Sequence, residues 1–272
     1  MTELTAVIEG IGVLGPGLSD WPSSAAVLAG RLPYQTARTV LSAPGVLPPA
    51  ERRRAGRVIK LALAAGAEAI RQAGRDPRLL ASVFSSSGGD GDNCTAICVA
   101  LAEPERQISP TRFHNSVHNA AAGYWSIAYG CTEASVTLCA FDASFAAGLL
   151  EATIQVSQTA RPVLLLAYDA DYPPPLQSHR RISDAFGLGL VLAPVGASVG
   201  AGAGSAVALA TLRLTLSPEA PSALAHPELE ALRDSCPAAR ALPLLEQLAR
   251  ARSGQVVFAY LDSLRLAVEV LV

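Results

Sequence analysis

The sequence predicts an α/β fold, a mixed and mainly parallel sheet flanked by helices, and three observations predict it. Apolar runs of strand length alternate with helix-length segments through the first two thirds of the chain. The run PVLLLAYDA, residues 162–170, is almost continuously apolar, as a strand covered on both faces requires. Half of the 272 residues are hydrophobic and only 16% are charged, which supplies a sizeable core and excludes a disordered chain.

The elements follow in order. LTAVIEGIGV (4–13) reads as a first strand and WPSSAAVLAG (21–30) as a short helix. A Pro/Gly-rich stretch at 42–49 leads into one helix over 51–74, with Val58, Leu61, Ala62, Ala65, Ala69 and Ile70 near helical spacing and Gly74 as its stop. LLASVFSSS (79–87) is a strand running into Gly88-Gly89, and 91–103 is helical. Residues 110–130 form a loop feeding a helix; 134–141 is a strand, 143–156 a helix and 162–170 a strand. After Pro173-Pro174-Pro175 come two β-rich runs, 185–194 and 205–216, flanking a Gly-rich turn. Residues 217–230 read as loop or linker, 242–251 as a helix, and 256–272 as one long strand or a hairpin.

Composition narrows function. With 21 basic against 23 acidic residues the net charge is −2, which argues against a protein that binds nucleic acid by neutralising phosphates. Lys60 is the only lysine. Five cysteines are too few for a disulfide scaffold, and MTELTAVIEG lacks the basic and apolar regions of a signal peptide, so the expected compartment is the cytoplasm. Residues 185–212 carry no formal charge and could span a bilayer by length, but Pro194 and glycines 187, 189, 196, 200, 202 and 204 break the stretch, so no membrane span is expected.

Three motifs carry possible chemistry. Gly10-x-Gly12-x-x-Gly15 matches the dinucleotide fingerprint, but Pro16 follows at once and the next acidic residue after Asp20 is Glu51; a plain Gly-rich strand-to-loop turn is the reading. Cys94-x3-Cys98 and His114-x3-His118 have near-zinc-finger spacing. A large apolar chain needs no metal to fold, so no metal and no cofactor are expected, with a zinc-binding interaction module as an alternative. The strand–turn–helix ASVTLCAFDASFAAGLLEA (134–152) is more informative: a cysteine where such a strand meets its helix has a lowered pKa and becomes a nucleophile.

Here the sequence resembles the β-ketoacyl synthase (condensing enzyme) family, of thiolase-like fold. VIEGIGVLGPGLSDWPSSAAVLAG resembles that family's opening strand, glycine turn and first helix, and FSSSGG its S-x-G-G segment. ISPTRFHNSVHNAAAGYWSIAYG, RPVLLLAYDADYPPPL and AFGLGLVLAP resemble, in order, its x-N-x-x-A-G segment, the strand after its nucleophile helix and its G-x-G-A-G strand. The likeness covers about residues 5–216 and implies a fold truncated relative to a full two-half ketosynthase. The expected organisation is a ketosynthase N-terminal-half-like domain over 1–217, with 218–272 a short helix/strand extension packed on it.

The departures bear on activity. Laid without gaps, the family's nucleophilic cysteine falls on Asp142, with Cys139 three residues earlier; a gapped placement would make Cys139 the nucleophile. Asp142 would then cap the following helix and carry no acyl group. The family's two catalytic histidines and lysine have no counterpart after residue 216, where His226 is the only histidine; His179 lies in the Pro-rich loop. The resemblance therefore implies a non-catalytic, chain-length-factor-like subunit. It would form a heterodimer with an active ketosynthase and shape the acyl tunnel while a polyketide, with an aryl polyene as the expected product, grows on acyl carrier protein. By the same resemblance Phe113, Ser116, Val117 and Ala120 are candidates for the tunnel and interface. The alternative is a stand-alone acyltransferase using Cys139.

Overall fold

The computed structural model describes residues 4–196 and 208–272. β1 (Leu4–Leu14) leads to α1 (Trp21–Leu28), which Asp20 caps by accepting from the Ser23 amide. Then come α2 (Pro49–Arg54), α3 (Arg57–Ala73), β2 (Ala81–Ser85), α4 (Gly91–Ala102), α5 (Pro110–His114) and α6 (Ala120–Tyr129). β3 (Ser135–Leu138), α7 (Ser144–Thr159) and β4 (Val163–Asp169) complete the alternating part. The rest comprises α8 (Leu176–His179), β5 (Phe186–Ala193), β6 (Ala210–Ser217), α9 (Pro227–Ser235), α10 (Leu242–Ala249), β7 (Gly254–Ala259) and β8 (Arg265–Leu271). Among these lie the 3-10 turns Pro77–Leu79, Phe141–Ala143 and Ala238–Ala241.

The strands form one eight-stranded mixed sheet, ordered β3-β2-β4-β5-β1-β6-β8-β7. The mixed α/β architecture is as expected, but its parallel share is smaller than the sequence suggested. Among the described residues only β2–β3 and β2–β4 are parallel; the other five pairings are antiparallel. A parallel neighbour needs a crossover that carries the chain back along the sheet, which α4–α6 and α7 provide. The β4–β5 connection holds only the four-residue α8, and β7 and β8 are joined directly. The two β-rich runs around 185–216 are strands, yet not neighbours, because β1 lies between them; most of the Gly-rich turn lies outside the described residues. No helix among the described residues is long and apolar enough to cross a membrane.

Three boundaries differ from the sequence reading. The helix expected over 51–74 is two, because Ala55 is extended and Gly56 faces the Asp90 carboxylate. The stretch 256–272 resolves into the β7–β8 hairpin. The expected linker 217–230 contains the start of α9, whose Pro227, Glu228 and Glu230 are first-turn residues and whose Leu229 and Leu232 turn inward.

Alternate residues of the central strands feed two cores. Ile8, Val83, Leu165, Leu188 and Leu190 pack with α7 and the C-terminal helices; Phe84, Leu164, Leu166 and Val191 pack with α3 and α6. On the second face α3 lies with its backbone against the sheet. A Cβ on Gly12 or Gly189 would come within 3.0 Å of the Ala65 carbonyl oxygen, and one on Gly10 within 3.0 Å of Ala69. The Gly10/Gly12 spacing is thus a helix-packing seam rather than a phosphate turn. Among the described residues β6 pairs with β1 from Leu4 to Ile8. Beyond that point α3 serves as the neighbour: Gln72 Oε1 accepts from the Ile11 amide at 2.6 Å and Glu68 Oε2 from the Val13 amide at 2.9 Å.

Gly12→Ala is expected to cost about 3 kcal/mol or more, since backbone rather than a side chain must give way. Gly123→Ala, on α6 where a new methyl meets nothing within 4 Å, is expected to gain about 0.5–1 kcal/mol. Urea midpoints of both variants check this; equal midpoints would contradict the seam.

Candidate functional site

The parallel strands β3, β2 and β4 end together, and open α/β sheets place their sites beyond the carboxyl ends of such strands. Three turns meet there: Ser86–Gly89 after β2, Cys139–Ala143 after β3, and Ala170–Tyr172 after β4.

Asp142 sits in the 3-10 turn ahead of α7, next to Phe141, whose φ of 51° is rare for a bulky residue. It does not cap the helix. The residue before α7 is Ala143, which makes no side-chain cap, and the Ser144 hydroxyl instead accepts from the Ala140 amide and donates to the Phe141 carbonyl. The Asp142 carboxylate goes to two arginines, with Arg180 Nη2 at 2.5 Å from Oδ1 and Arg240 Nη2 at 3.1 Å from Oδ2. Arg180 comes from the β4–β5 loop, whose ends are anchored by Asp171 on Arg57 at 2.7 Å and by Asp184 accepting from the Thr39 amide at 2.8 Å. Its guanidinium also lies 3.9 Å over the Phe141 ring. The crevice beside Asp142, lined also by Phe145, Arg233 and Phe258, has about 10 Å³ of free volume, room for one water at most.

Cys139 is exposed just beyond β3, and its thiol donates to the Ser87 carbonyl at 3.1 Å. That partner is an acceptor and cannot take the thiol proton, which a nucleophile needs removed. Beneath this turn Asp169 is fully buried. It accepts from the Ser87 amide at 2.8 Å, the Ser87 hydroxyl at 2.7 Å, the Ser86 hydroxyl at 3.2 Å and the Ala238 amide at 3.0 Å. Tyr172 covers the same turn so closely that a Cβ on Gly88 or Gly91 would fall within 3.0 Å of it. Burial pushes the Asp169 carboxyl up to about 6 against those bonds, and burial likewise raises the Cys236 and Tyr172 pKa values, with the Asp169 charge adding to both.

Phe113, Val117 and Ala120 come together in an open surface concavity of about 520 Å³, with Tyr124 and Ile127. Ser116 is exposed beside it and donates to the Phe113 carbonyl at 2.8 Å. α4 adds to an apolar surface: of its twelve residues only Gly91 and Asn93 are buried, while Val99 and Leu101 are exposed. The four residues of the zinc-finger-like spacing are not gathered into one ligand set. Cys94 and Cys98 lie exposed on α4, His114 packs edge-on against Tyr124, and His118 stands over Gly89. Among the described residues no three His, Cys, Asp or Glu side chains gather where a metal could be held.

Sequence reading found the turn but not its partners. Arg180 and Arg240 carry no local signal, because their contact is with a residue remote in sequence. Asp169 did carry one, a carboxylate closing the apolar run PVLLLAYDA.

The chain belongs to the β-ketoacyl synthase family, matching its description, Beta-ketoacyl synthase, N-terminal domain, over residues 21–252. Among solved structures it is similar to a chain of "Ketosynthase (ApeO) in Complex with its Chain Length Factor (ApeC) from Xenorhabdus doucetiae". The TM-score is 0.72 at 22% identity, covering 97% of this chain and 99% of that one. It is similar at TM-score 0.73 and 13% identity, covering 99% of both chains, to one from "AntDE:AntF (apo): type II PKS acyl-carrier protein in complex with its ketosynthase bound to the hexaketide". Against the ketosynthase from module 1 of the bacillaene synthase of Bacillus amyloliquefaciens the TM-score is 0.59 at 14% identity, with 81% of this chain covering 47% of that one. These likenesses show the thiolase-like ketosynthase fold. No curated protein matches the sequence.

Asp169 predicts a pH dependence. Its folded-state pKa of about 6 lies above the ordinary carboxyl value of about 3.9, so the folded protein holds the extra proton between those limits. Its contribution is fully present below about pH 4 and falls away as pH rises through 6, by about 3 kcal/mol in all. Asp169→Asn should lose that slope, and the pH-dependent stability difference between wild type and variant checks it; parallel profiles would contradict it.

Proposed function

We propose that this chain is a non-catalytic, chain-length-factor-like partner of a ketosynthase, shaping the acyl tunnel while the ketosynthase elongates a polyketide, of aryl polyene type, on acyl carrier protein. The observation that carries the reading is Asp142. Where the family resemblance puts a nucleophile stands a carboxylate held by two arginines, beside a crevice of about 10 Å³, whereas small-molecule pockets run to about 300 Å³ or more. The chain's similarity to a ketosynthase with its chain length factor and to a ketosynthase with acyl carrier protein supports a partner of that kind.

The partner docks on the apolar side. β3 is the sheet's end strand and pairs only with β2 among the described residues, so its outer edge is open to another chain. Beside it are the exposed faces of α4 and α6 and the concavity around Phe113 and Val117, which with Ser116 and Ala120 we assign to the interface and the tunnel wall. We treat residues 1–217 as the ketosynthase-like domain, residues 218–272 as its extension, and the cytoplasm as its compartment.

Co-expression with a cognate ketosynthase tests the reading: the two chains should co-purify, and Phe113→Glu with Val117→Asp should abolish co-purification while leaving the thermal midpoint of this chain within about 2 °C. A monodisperse monomer with no affinity for such a partner would overturn it. Acyl-thioester labelling read by mass spectrometry tests the Cys139 alternative. Neither wild type nor Asp142→Cys should acquire an acyl group, and an adduct on Cys139 formed without a partner would establish the acyltransferase instead.

A further inference from the structure

We propose that Arg180 and Arg240 are a carboxylate-binding pair whose ligand is the chain's own Asp142, so that the mouth of α7 is an anion site occupied from within. Three segments remote in sequence meet there: the 3-10 turn Phe141–Ala143, the β4–β5 loop and the 3-10 turn Ala238–Ala241. Each carboxylate oxygen has its own guanidinium, at 2.5 Å and 3.1 Å. The Arg180 and Arg240 side chains are only 22% and 21% exposed, and cations drawn that far from water need an anion between them.

The neighbouring charges do not supply it. Arg233 also lines the crevice, but Glu230 neutralises it at 2.6 Å, and among the described residues no second carboxylate pairs with Arg180 or Arg240. Arg–carboxylate pairing favours planar oxyanions with two oxygens, so the class of ligand the pair takes is a small carboxylate. The crevice, at about 10 Å³, leaves no space for one while Asp142 is in place. Asp142→Gly removes a group with the atoms of one acetate and leaves a hole of that shape between two unneutralised guanidiniums. Asp142 therefore does electrostatic and positional work: it pins the β4–β5 loop and the C-terminal 3-10 turn across the start of α7.

Acetate rescue tests this. Thermal midpoints of wild type, Asp142→Gly and the double variant Asp142→Gly/Arg240→Met are measured against sodium acetate, with sodium chloride matched in ionic strength as the control. Acetate is expected to raise the Asp142→Gly midpoint saturably, by about 3 °C at ten times its dissociation constant, and to act no differently from chloride on the other two. Equal responses to acetate and chloride in Asp142→Gly, or an equal acetate response in all three proteins, would overturn the assignment. If Asp142→Gly does not fold, its refolding yield decides: rescue by acetate alone supports the site, and equal yields in both salts refute it. The readout is this chain's own stability, so it succeeds or fails independently of any ketosynthase partner.

Discussion

The backbone of α3 rests directly on the sheet, and the rest of the structure depends on that contact. Helices normally pack on sheets through their side chains, but here Gly10, Gly12 and Gly189 remove the side chains on one side and Ala65 and Ala69 shorten them on the other. At that distance Gln72 and Glu68 reach the Ile11 and Val13 amides of β1, and Glu68 also accepts from the Trp21 amide at 2.6 Å, at the start of α1. Burial raises the Glu68 carboxyl while the two amide bonds pull it down, the balance expected of a carboxylate used as a sheet neighbour. One helix thus supplies a core face, a substitute strand edge and an acceptor for the first amide of α1.

With the centre of the sheet held in this way, the ends of β3, β2 and β4 become a fixed frame for three turns. Asp169 joins that frame to the C-terminal part of the chain: three of its four hydrogen bonds go to Ser86 and Ser87 and the fourth to Ala238, in the turn that presents Arg240 to Asp142. Among the described residues its hydrogen-bond donors are all neutral, and the same group that organises the turns makes their stability depend on pH.

Local pattern made most elements legible and left long-range pairing illegible. Val58, Leu61, Ala65 and Ala69 announced α3 through their spacing, and the apolar run 162–170 announced β4. The antiparallel share of the sheet was underestimated because strand direction depends on how the chain returns between strands, and a Pro-rich loop such as 170–185 does not reveal where it returns. The same limit applied to the site. The strand–turn–helix around Asp142 could be read from nineteen consecutive residues, 134–152. The expectation that Asp142 caps α7 failed, since its carboxylate is paired by charge with two arginines from distant segments instead of with an amide of the helix. The glycine fingerprint was expected as a strand-to-loop turn, but Gly10 and Gly12 lie within β1, and their reason, contact with a helix that starts more than forty residues later, was not local either.

The two ends of the sheet are treated differently, and the difference is physical rather than incidental. At the β7 end, residues around Ser222 cover the edge, with the Ser222 amide donating to the Val257 carbonyl and the Val257 amide donating to the Ser222 hydroxyl. At the β3 end the backbone edge is open among the described residues, and the helices beside it expose apolar residues. An uncovered strand next to an apolar surface is a liability for an isolated chain, and the protection at the other end shows that this fold can cover an edge when covering it serves stability. With an ion cluster ahead of α7 and, among the described residues, a bare edge at β3, the surface best suited to contact with another chain is that edge.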